Sequence, residues 1–326
     1  MTEQVLAIKD IKGVGSETAK KLTNAGFNSV ESVVVTPVRE LVERTGIGHD
    51  TLWKITQIAR TMVKPGCCNA LELYRKKQES KKLETGSSAL DKLFGGGIET
   101  QAITELVGEF SSGKSQICMK LSVMCQLPLD KGGLGGKAYF IDTEGTFSPE
   151  RIYGIAQNMA LDPEEVLSKI LYSRAHNSDH QIAIVDGTAN ILHEENIKLL
   201  VVDSIISHFR GEYIGREHLS ERQQKLNLHV HKLLRLAEIF NIAVVITNQT
   251  QANPQAFYGD PNRPAGGNVL AHATTHRIYL RKSKANTRIA KVMDSPKLPE
   301  AKVTFQINEN GVGDVNGKDA DALEEE

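Results

Sequence analysis

The sequence has few of the residues that mark secreted, membrane-spanning or metal-clustered proteins. It contains four cysteines in 326 residues, and only 5% of its residues are aromatic. Its apolar runs are shorter than the roughly 18–20 residues that a membrane helix requires. Residues 1–10 lack the basic start and long apolar stretch of a signal peptide. These features predict an intracellular protein that does not enter a membrane.

The cysteines lack the spacing of a zinc site. Cys67 and Cys68 are adjacent, whereas Cys118 and Cys125 lie seven residues apart in a segment with a helical pattern. Free cysteine commonly behaves as a small buried apolar residue. We therefore expect buried thiols in a protein of a reducing compartment.

The net charge of −1 gives no overall attraction to nucleic acid, but the charge is divided unevenly along the chain. Residues 1–82 contain 14 basic and 9 acidic residues, whereas residues 314–326 contain 1 basic and 6 acidic residues. A basic head and an acidic tail suit a protein that meets nucleic acid at selected surfaces. Ordinary scatter of charge explains the same numbers equally well, so charge alone does not decide between the two.

The hydrophobic pattern divides the chain into a small helical part and a larger α/β part. In residues 1–63 apolar residues recur at helical spacing, and the hairpins Gly13-Val-Gly15 and Gly46-Ile-Gly48 are each followed by a helix. Residues 64–82 are predicted to be a solvated, charged linker. Residues 314–326 have the composition of a disordered tail.

Residues 83–313 alternate short apolar strands with helices. This alternation is typical of a largely parallel sheet covered by helices. Three later strands have short connections, which favour antiparallel pairing at one side of the sheet. The predicted strands are residues 103–107, 138–142, 199–203 and 242–248, followed by residues 278–281, 289–293 and 303–307.

A phosphate-binding loop lies between the first of these strands and the next helix. The segment Gly108-Glu109-Phe110-Ser111-Ser112-Gly113-Lys114-Ser115 matches the pattern Gly-x4-Gly-Lys-Ser in full, and Gln116 follows it in the same site. Glycines let backbone N–H groups converge on phosphate oxygens, and the helix N-terminus adds partial positive charge. We expect Lys114 to reach the outer phosphates of ATP and the Ser115 hydroxyl to bind Mg²⁺.

Polar residues at the ends of neighbouring strands complete a site for ATP hydrolysis. Asp203 ends one strand and is the expected holder of the Mg²⁺ water molecules. Glu144 is the candidate for activating the attacking water, and Asp142 is the alternative. Gln249 follows another strand, where its amide would lie near the γ-phosphate.

Several longer motifs narrow this ATPase to one family. They include residues 139–151 (Tyr-Phe-Ile-Asp-Thr-Glu-Gly-Thr-Phe-Ser-Pro-Glu-Arg), residues 266–268 (Gly-Gly-Asn) and residues 294–300 (Asp-Ser-Pro-Lys-Leu-Pro-Glu). In this order the motifs resemble those of the archaeal RadA recombinases and their eukaryotic counterparts, relatives of bacterial RecA. The resemblance covers residues 5–313. It implies an α/β RecA-like P-loop ATPase core with a mostly parallel central sheet, preceded by a small all-α helix-hairpin-helix domain.

The resemblance also implies roles for single residues of the ATP site. Glu144 matches the catalytic glutamate, and Arg151 matches the arginine that stacks on adenine, a role that suits a guanidinium plane. Asp294 and Pro299 match a segment that caps ATP from the neighbouring subunit. ATP would then lie at a subunit interface, and a head-to-tail contact that does not close gives a helical filament.

Two segments match the DNA-binding loops of the family. The first, residues 209–216, supplies arginines for phosphates and one ring for base stacking. The second, residues 251–267, is a long polar loop of the kind that is often functional. Solvated helix ends are the alternative for the arginines, and a purely structural hairpin is the alternative to phosphate binding by the two glycine hairpins. The implied DNA-binding residues are Arg210, Tyr213, Arg216, Arg222 and Arg263.

Two positions depart from the family's pattern. Ser111 stands where the family usually has glycine, and a backbone with φ > 0 would be strained there. The family joins subunits through a Phe three residues before an Ala, whereas here Cys67 replaces the Phe and Ala70 matches the Ala. Cysteine fills less of an aromatic pocket. Either the partner pocket is smaller or the filament relies more on the ATP interface.

Together these features predict a DNA-dependent ATPase that polymerises on single-stranded DNA and exchanges strands with a homologous duplex, in DNA repair and homologous recombination. The expected cofactors are ATP and Mg²⁺. The expected partners are single-stranded and double-stranded DNA, other copies of the chain in a filament or ring, and recombination mediators, in the cytoplasm at the nucleoid. A regulatory recombinase paralogue without strand exchange and a ring-forming DNA helicase are the alternatives.

Overall fold

The chain consists of two units, each with its own core. The computed structural model describes residues 6–62, 69–78, 80–252 and 262–315, and its contacts divide the chain into residues 1–79 and residues 80–326. Among the described helices, none is both long and apolar enough to cross a membrane.

The N-terminal unit is a group of short helices around one apolar core. Leu22, Leu41 and Leu52, each on a different helix, are fully buried there. A fifth helix, α5, contributes no residue to this core. The helices are α1 (Ser16–Asn24), α2 (Val30–Val35), α3 (Val38–Thr45), α4 (His49–Met62) and α5 (Ala70–Gln78).

The two glycine hairpins require glycine for their backbone angles. Gly13 has φ 89° and Gly46 has φ 65°, both in the left-handed region, while a Cβ added at either glycine would meet no atom within 4 Å. Gly46 ends α3 because its N–H donates to Val42 O at 3.0 Å. Conformation rather than lack of space therefore explains these glycines.

The predicted solvated linker contains helix α5. Asn69 starts this helix, since Glu72 N donates to Asn69 Oδ1 at 2.9 Å and Asn69 Nδ2 donates to Glu72 Oε1 at 2.8 Å. Leu71, Leu73 and Tyr74 are exposed on it. The charged residues of this segment favoured a linker, whereas Asn69, a residue that commonly caps helices, is the signal that would have predicted the helix.

The larger unit is built on a mostly parallel sheet. Its strand order is β12-β11-β10-β9-β3-β7-β6-β4-β5, parallel from β9 to β5 and antiparallel from β9 to β12. β8 pairs with β7, and β1 pairs with β2 in a separate ribbon. The strands are β1 (Lys82–Leu83), β2 (Ile98–Glu99), β3 (Ala102–Gly108), β4 (Lys137–Asp142), β5 (Ile170–Arg174), β6 (Ile197–Asp203), β7 (Ala243–Ala252), β8 (Asn262–Pro264), β9 (His276–Lys282), β10 (Thr287–Asp294), β11 (Lys302–Asn308) and β12 (Gly311–Gly313).

Apolar residues cover both faces of this sheet. Along β6, Leu199 and Val201 pack into one core, whereas Leu200 and Val202 pack into the other. Burial on both faces explains why the central strands appear in the sequence as uninterrupted apolar runs. The helices of this unit are α6 (Ser88–Leu93), α7 (Lys114–Met124), α8 (Pro149–Asn158), α9 (Pro163–Ser168), α10 (Ser178–Glu194), α11 (Ser207–Glu212), α12 (Leu219–Phe240) and α13 (Gly267–Ala273).

The fold class expected from the sequence is confirmed. Each of the seven predicted strands is present, and the last three pair antiparallel as expected. β5 carries the polar residues Ser173 and Arg174 and so forms no apolar run, and neither β5 nor the helix α10 after it was predicted from the sequence. The two described cysteines, Cys118 and Cys125, are buried, as predicted.

Asp314 is bonded to the folded part of the larger unit, although the sequence predicts it to lie in the acidic tail. Its carboxylate accepts from Ser87 Oγ at 2.6 Å and from the backbone N–H groups of Ser88 and Ala89 at 3.0 Å each. Burial alone would raise the pKa of Asp314, but these hydrogen bonds outweigh it and lower the pKa to about 2. Residues 316–326 of the predicted tail lie outside the described residues.

We expect Asp314→Ala to destabilise the larger unit by about 1–2 kcal/mol at pH 7, because it removes an acceptor from a helix N-terminus. Since folding lowers this pKa from its ordinary value of 3.8, the contribution is complete above about pH 4 and is lost as the pH falls toward 2. Urea unfolding followed by circular dichroism at pH 7 and pH 3 would measure both effects. Asp130→Ala, at an exposed aspartate, is the control, and an equal loss in both variants would contradict the assignment.

Candidate nucleotide site

The phosphate loop connects the end of β3 to the start of α7, and its two motif glycines are required by space. A Cβ added at Gly108 would lie 2.3 Å from Leu280 O, and one added at Gly113 would lie 2.8 Å from Ile307 Cδ1. Gly113 also has φ 104°. Helix α7 begins at Lys114, and its residues 117–124 are buried in the larger unit.

Ser111 has the strained backbone that the sequence analysis foresaw. Its φ is 62°, which costs a residue with a Cβ roughly 1 kcal/mol. Arg288 supports the turn, because its Nε donates to Ser111 O at 3.1 Å. Arg288 lies on β10, far from the loop in the sequence, and no motif pointed to it.

A cavity of about 840 Å³ opens beside the loop. Its volume suits a nucleotide. Most of the predicted ATP-site residues line it: Glu109, Phe110, Ser111, Gly113, Lys114, Ser115, Gln116, Glu144, Arg151, Asp203 and Gln249. Its other lining residues, which the sequence analysis missed, are Thr146, Ser204, Thr250, Arg288 and Ile307.

Lys114 lies over its own loop. Its ammonium donates to Gly108 O and Glu109 O, each at 2.8 Å. Burial lowers the pKa of Lys114, whereas the nearby carboxylates of Asp203 and Glu144 oppose that shift. The charge is therefore held at the loop, where phosphate oxygens would be bound.

Ser115 and Asp203 form the oxygen pair expected for Mg²⁺. The Asp203 carboxylate is buried at the end of β6 and accepts hydrogen bonds from the hydroxyls of Ser115 and Thr247. Burial raises the pKa of Asp203, and the two hydroxyls counteract it. Hard oxygen donors of this kind fit Mg²⁺, which keeps most of its waters and needs few protein ligands.

Glu144 faces the cavity, whereas the Asp142 carboxylate is buried and already bonded to backbone N–H groups and Arg174. Glu144 Oε1 accepts from Ser204 Oγ at 2.9 Å and from Gln249 Nε2 at 2.6 Å. Asp142 is fully buried, and its carboxylate accepts from the backbone N–H groups of residues 144–147 and from Arg174 at 3.1 Å. This geometry favours Glu144 over Asp142 as the group that meets water.

Arg151 lines the cavity and is held in place by several hydrogen bonds. Its Nε donates to Gln116 Oε1 at 2.8 Å, and its Nη1 and Nη2 donate to backbone carbonyls of Asn308, Glu309 and Gly311. These contacts hold the guanidinium in one plane. A fixed guanidinium plane suits stacking on a nucleobase.

Comparison with known proteins identifies the family. A family model described as Rad51 matches residues 76–315, and one described as a SAM-like helix-hairpin-helix tandem matches residues 5–61. The chain is 52% identical over 311 residues to the DNA repair and recombination protein RadA of Aeropyrum pernix, covering 95% of this chain and 98% of that protein. The protein of the same name from Metallosphaera sedula is 50% identical over 313 residues, 96% and 97% of the two chains. This chain belongs to the RadA recombinase family.

The RadA resemblance assigned Asp294 and Pro299 to the ATP site of a neighbouring subunit. Both residues are exposed on the segment between β10 and β11, and neither lines the cavity of its own chain. Their position is compatible with action on another copy. Their role stays a prediction.

The first DNA loop of the RadA resemblance joins the ATP site through one arginine. Arg210 lies on α11, and its Nη1 donates to Gln249 Oε1 at 3.3 Å. Tyr213 points inward: its ring stacks on Phe209 with centroids 6.5 Å apart, and its hydroxyl accepts from Lys225 Nζ at 2.5 Å. Base stacking by Tyr213 would require it to leave these contacts, whereas Ile214 is 71% exposed beside it.

The other residues predicted to bind DNA or to join subunits differ in how exposed they are. Arg216 is exposed, whereas Arg222 is half-buried with its Nε unpartnered among the described residues. The backbone of Arg263 pairs with Gln251 across β7 and β8, but its side chain and residues 253–261 lie outside the described residues. Ala70 is exposed at the start of α5, and Cys67 lies outside the described residues.

We expect Ser111→Gly to bind ATP as well as the unaltered chain, within about twofold, because glycine adopts φ 62° without strain. Ser111→Val should weaken binding by roughly 5- to 30-fold, since a β-branched residue is disfavoured there by about 1–2 kcal/mol. Titration with a fluorescent ATP analogue and Mg²⁺ would measure both. Equal affinities for the Gly and Val variants would show that this backbone strain does not affect the site.

Proposed function

We propose that this chain is a DNA-dependent ATPase that forms a filament on single-stranded DNA, pairs it with a homologous duplex and exchanges strands. It would act at the nucleoid in DNA repair and homologous recombination, with recombination mediators. The names of the two RadA relatives support this function. So does the coexistence of an ATP site and a helix-hairpin-helix unit in one chain.

The main support for the proposal is a series of hydrogen bonds that links the ATP site to the first predicted DNA loop. Ser204 and Gln249 both donate to Glu144, and Gln249 accepts from Arg210 on the first DNA loop. The candidate water-activating carboxylate is thus two hydrogen bonds away from a candidate phosphate-binding arginine. DNA that attracts Arg210 would change the bonding of Gln249 and so of Glu144. This arrangement supports hydrolysis that responds to DNA.

The residues of the cavity have distinct tasks in hydrolysis. The loop N–H groups and Lys114 bind the phosphates, and Arg151 binds the adenine face. Ser115 and Asp203 would hold Mg²⁺, which screens the phosphate charge. Glu144 orients a water molecule and accepts its proton, and Gln249 keeps Glu144 in place.

Assembly completes the function. Asp294 and Pro299 cap the nucleotide of a neighbouring subunit, and the segment with Cys67 and Ala70 joins adjacent subunits. ATP at such an interface stabilises the filament, and its hydrolysis loosens the filament because the γ-phosphate contacts are lost. The protein contacts the DNA backbone, while base pairing tests homology.

Strand exchange between circular single-stranded DNA and homologous linear duplex tests the proposal. We expect joint molecules that require ATP, Mg²⁺ and homology. Lys114→Ala should lower ATP hydrolysis by about 100-fold or more and abolish exchange, because it removes a charge that stabilises the transition state. The exposed Lys131→Ala is the control.

Two outcomes would point to other functions. DNA-stimulated hydrolysis without joint molecules would indicate a regulatory paralogue. Unwinding of a forked duplex with no need for homology would indicate a ring-forming helicase, which electron microscopy with a non-hydrolysable ATP analogue would show as rings.

We expect Arg210→Ala and Gln249→Ala each to lower DNA-stimulated hydrolysis by about 10-fold, and the double variant to lower it no further. Residues in one hydrogen-bonded chain are coupled by up to a few kcal/mol, so their effects do not add. Steady-state hydrolysis at saturating single-stranded DNA would measure this. Arg216 lies on the same loop but outside this series of hydrogen bonds. The loss of hydrolysis caused by Arg216→Ala should therefore add to the loss caused by Gln249→Ala. Additive losses for Arg210 and Gln249 would refute the coupling.

A further inference from the structure

The segment between β10 and β11, which carries Asp294 and Pro299, is a closed loop with its own anchor points. Val292 N donates to Ala301 O at 3.0 Å and closes the loop at its base. A bulge between Val292 and Asp294 shifts the pairing with β9 at the point where the loop leaves the sheet. A bulge of this kind redirects a strand.

Two half-buried residues lie among the exposed residues of this loop. Ser295 and Leu298 are half-buried, whereas Asp294 and Pro299 beside them are exposed. Leu298 packs on the core of the larger unit, and a Cβ added at Gly95 would lie 3.0 Å from Leu298 Cδ2. Ser295 and Leu298 therefore fix the loop, and Asp294 and Pro299 remain accessible to another molecule.

Ser295 is the centre of the anchoring hydrogen bonds. Its Oγ accepts from the backbone N–H groups of Lys297 at 3.3 Å and Leu298 at 3.0 Å. It also lies 2.9 Å from His276 Nδ1, on the first residue of β9. Because two N–H groups already occupy the oxygen lone pairs, the hydroxyl proton is the one that bonds to Nδ1.

His276 extends the contact to the ribbon at the start of the larger unit. Since Nδ1 accepts, the ring proton is on Nε2, which lies 3.0 Å from Glu99 Oε2. Lys297 Nζ reaches the same oxygen at 2.6 Å. The hydrogen bond from His276, with help from Lys297, outweighs burial and lowers the pKa of Glu99 to about 2. Glu99 is therefore a permanent anion at neutral pH.

A serine, a histidine and a glutamate also occur together in hydrolytic triads, but this group is not arranged for nucleophilic attack. In a triad the histidine accepts the serine proton at Nε2 and donates to the acid from Nδ1. Here the two nitrogens are reversed, and the Ser295 oxygen is engaged by two backbone N–H groups. The group is built to hold a loop.

We infer that Glu99, His276 and Ser295 form a clamp that fixes the loop in the shape in which Asp294 and Pro299 cap the nucleotide of a neighbouring subunit. These three are positioning residues, and the inference rests on the capping role proposed above. β2, which carries Glu99, pairs with β1, the first strand after the linker. The clamp thereby connects the cap to the point where the linker enters the larger unit.

The test compares ATP use by the assembled protein with ATP binding by single subunits. Ser295→Ala should raise the KM for ATP in DNA-stimulated hydrolysis by about 10-fold, the size of effect that loss of a hydrogen bond to a charged network produces. A fluorescent non-hydrolysable ATP analogue, titrated at protein concentrations where light scattering shows single subunits, should bind within about twofold of the unaltered chain. Ser295→Thr keeps the hydroxyl and should restore the KM.

His276→Ala should match Ser295→Ala, and the double variant should be no worse than either one, because the two act through one contact. If Ser295→Ala leaves the KM within twofold while Asp294→Ala raises it, the capping role stands and the clamp is refuted. If Asp294→Ala also has no effect, the capping role itself fails, and the clamp fails with it. A KM that Ser295→Thr does not restore would also refute the clamp.

Discussion

The parallel pairing of four central strands is the constraint on which the rest of the structure depends. β3, β7, β6 and β4 are neighbours, so their carboxyl ends meet at one edge of the sheet. Gly108 pairs with Gln249, and Asp142 pairs with Asp203. The phosphate loop, the candidate metal ligand and the candidate water-activating group are therefore neighbours because of strand register, not because of their order in the chain.

A buried ion pair supports that register beside residues 251–267, the segment that the resemblance predicts to be the second DNA-binding loop. Arg277 Nε on β9 donates to Glu105 Oε2 on β3 at 2.5 Å, inside the sheet. The other oxygen of Glu105 accepts from Asn248 Nδ2 at 2.7 Å, and the same amide donates to Ala265 O at 2.8 Å. One carboxylate thus holds residues on both sides of the loop. Replacing only one partner of such a pair would leave a buried charge uncompensated, which is more costly than the pair itself.

The sequence predicted the parts of this site that lie on continuous motifs. Lys114, Ser115, Glu144 and Asp203 follow apolar strands, and strand ends are visible as the point where apolar residues give way to polar ones. Ser204 also follows such a strand, but nothing in the pattern separates it from an ordinary turn residue. Arg288 was not predicted because it lies on β10, on the antiparallel side of the sheet. Its contact with the phosphate loop depends on the strand order, which residue spacing in the sequence does not indicate.

The orientation of side chains was the other feature that could not be predicted from the sequence. Tyr213 was predicted to be an exposed ring that stacks on bases, yet contacts with Phe209 and Lys225 hold it inward. Likewise, Asp142 and Glu144 are two residues apart and carry the same carboxylate group, and only their surroundings distinguish them. Backbone N–H groups and Arg174 bind the Asp142 carboxylate, whereas Glu144 faces the cavity. Such differences arise from tertiary packing, which a periodic pattern does not encode.

The contacts of Asp314 have a consequence for how the protein is made. The carboxylate that completes the N-terminus of α6 belongs to a residue 226 positions later than its partner Ser88. During synthesis on the ribosome, the backbone N–H groups of Ser88 and Ala89 therefore lack this acceptor until residue 314 has emerged. A nascent chain that stops before residue 314 would carry the phosphate loop on a unit that this carboxylate does not yet stabilise.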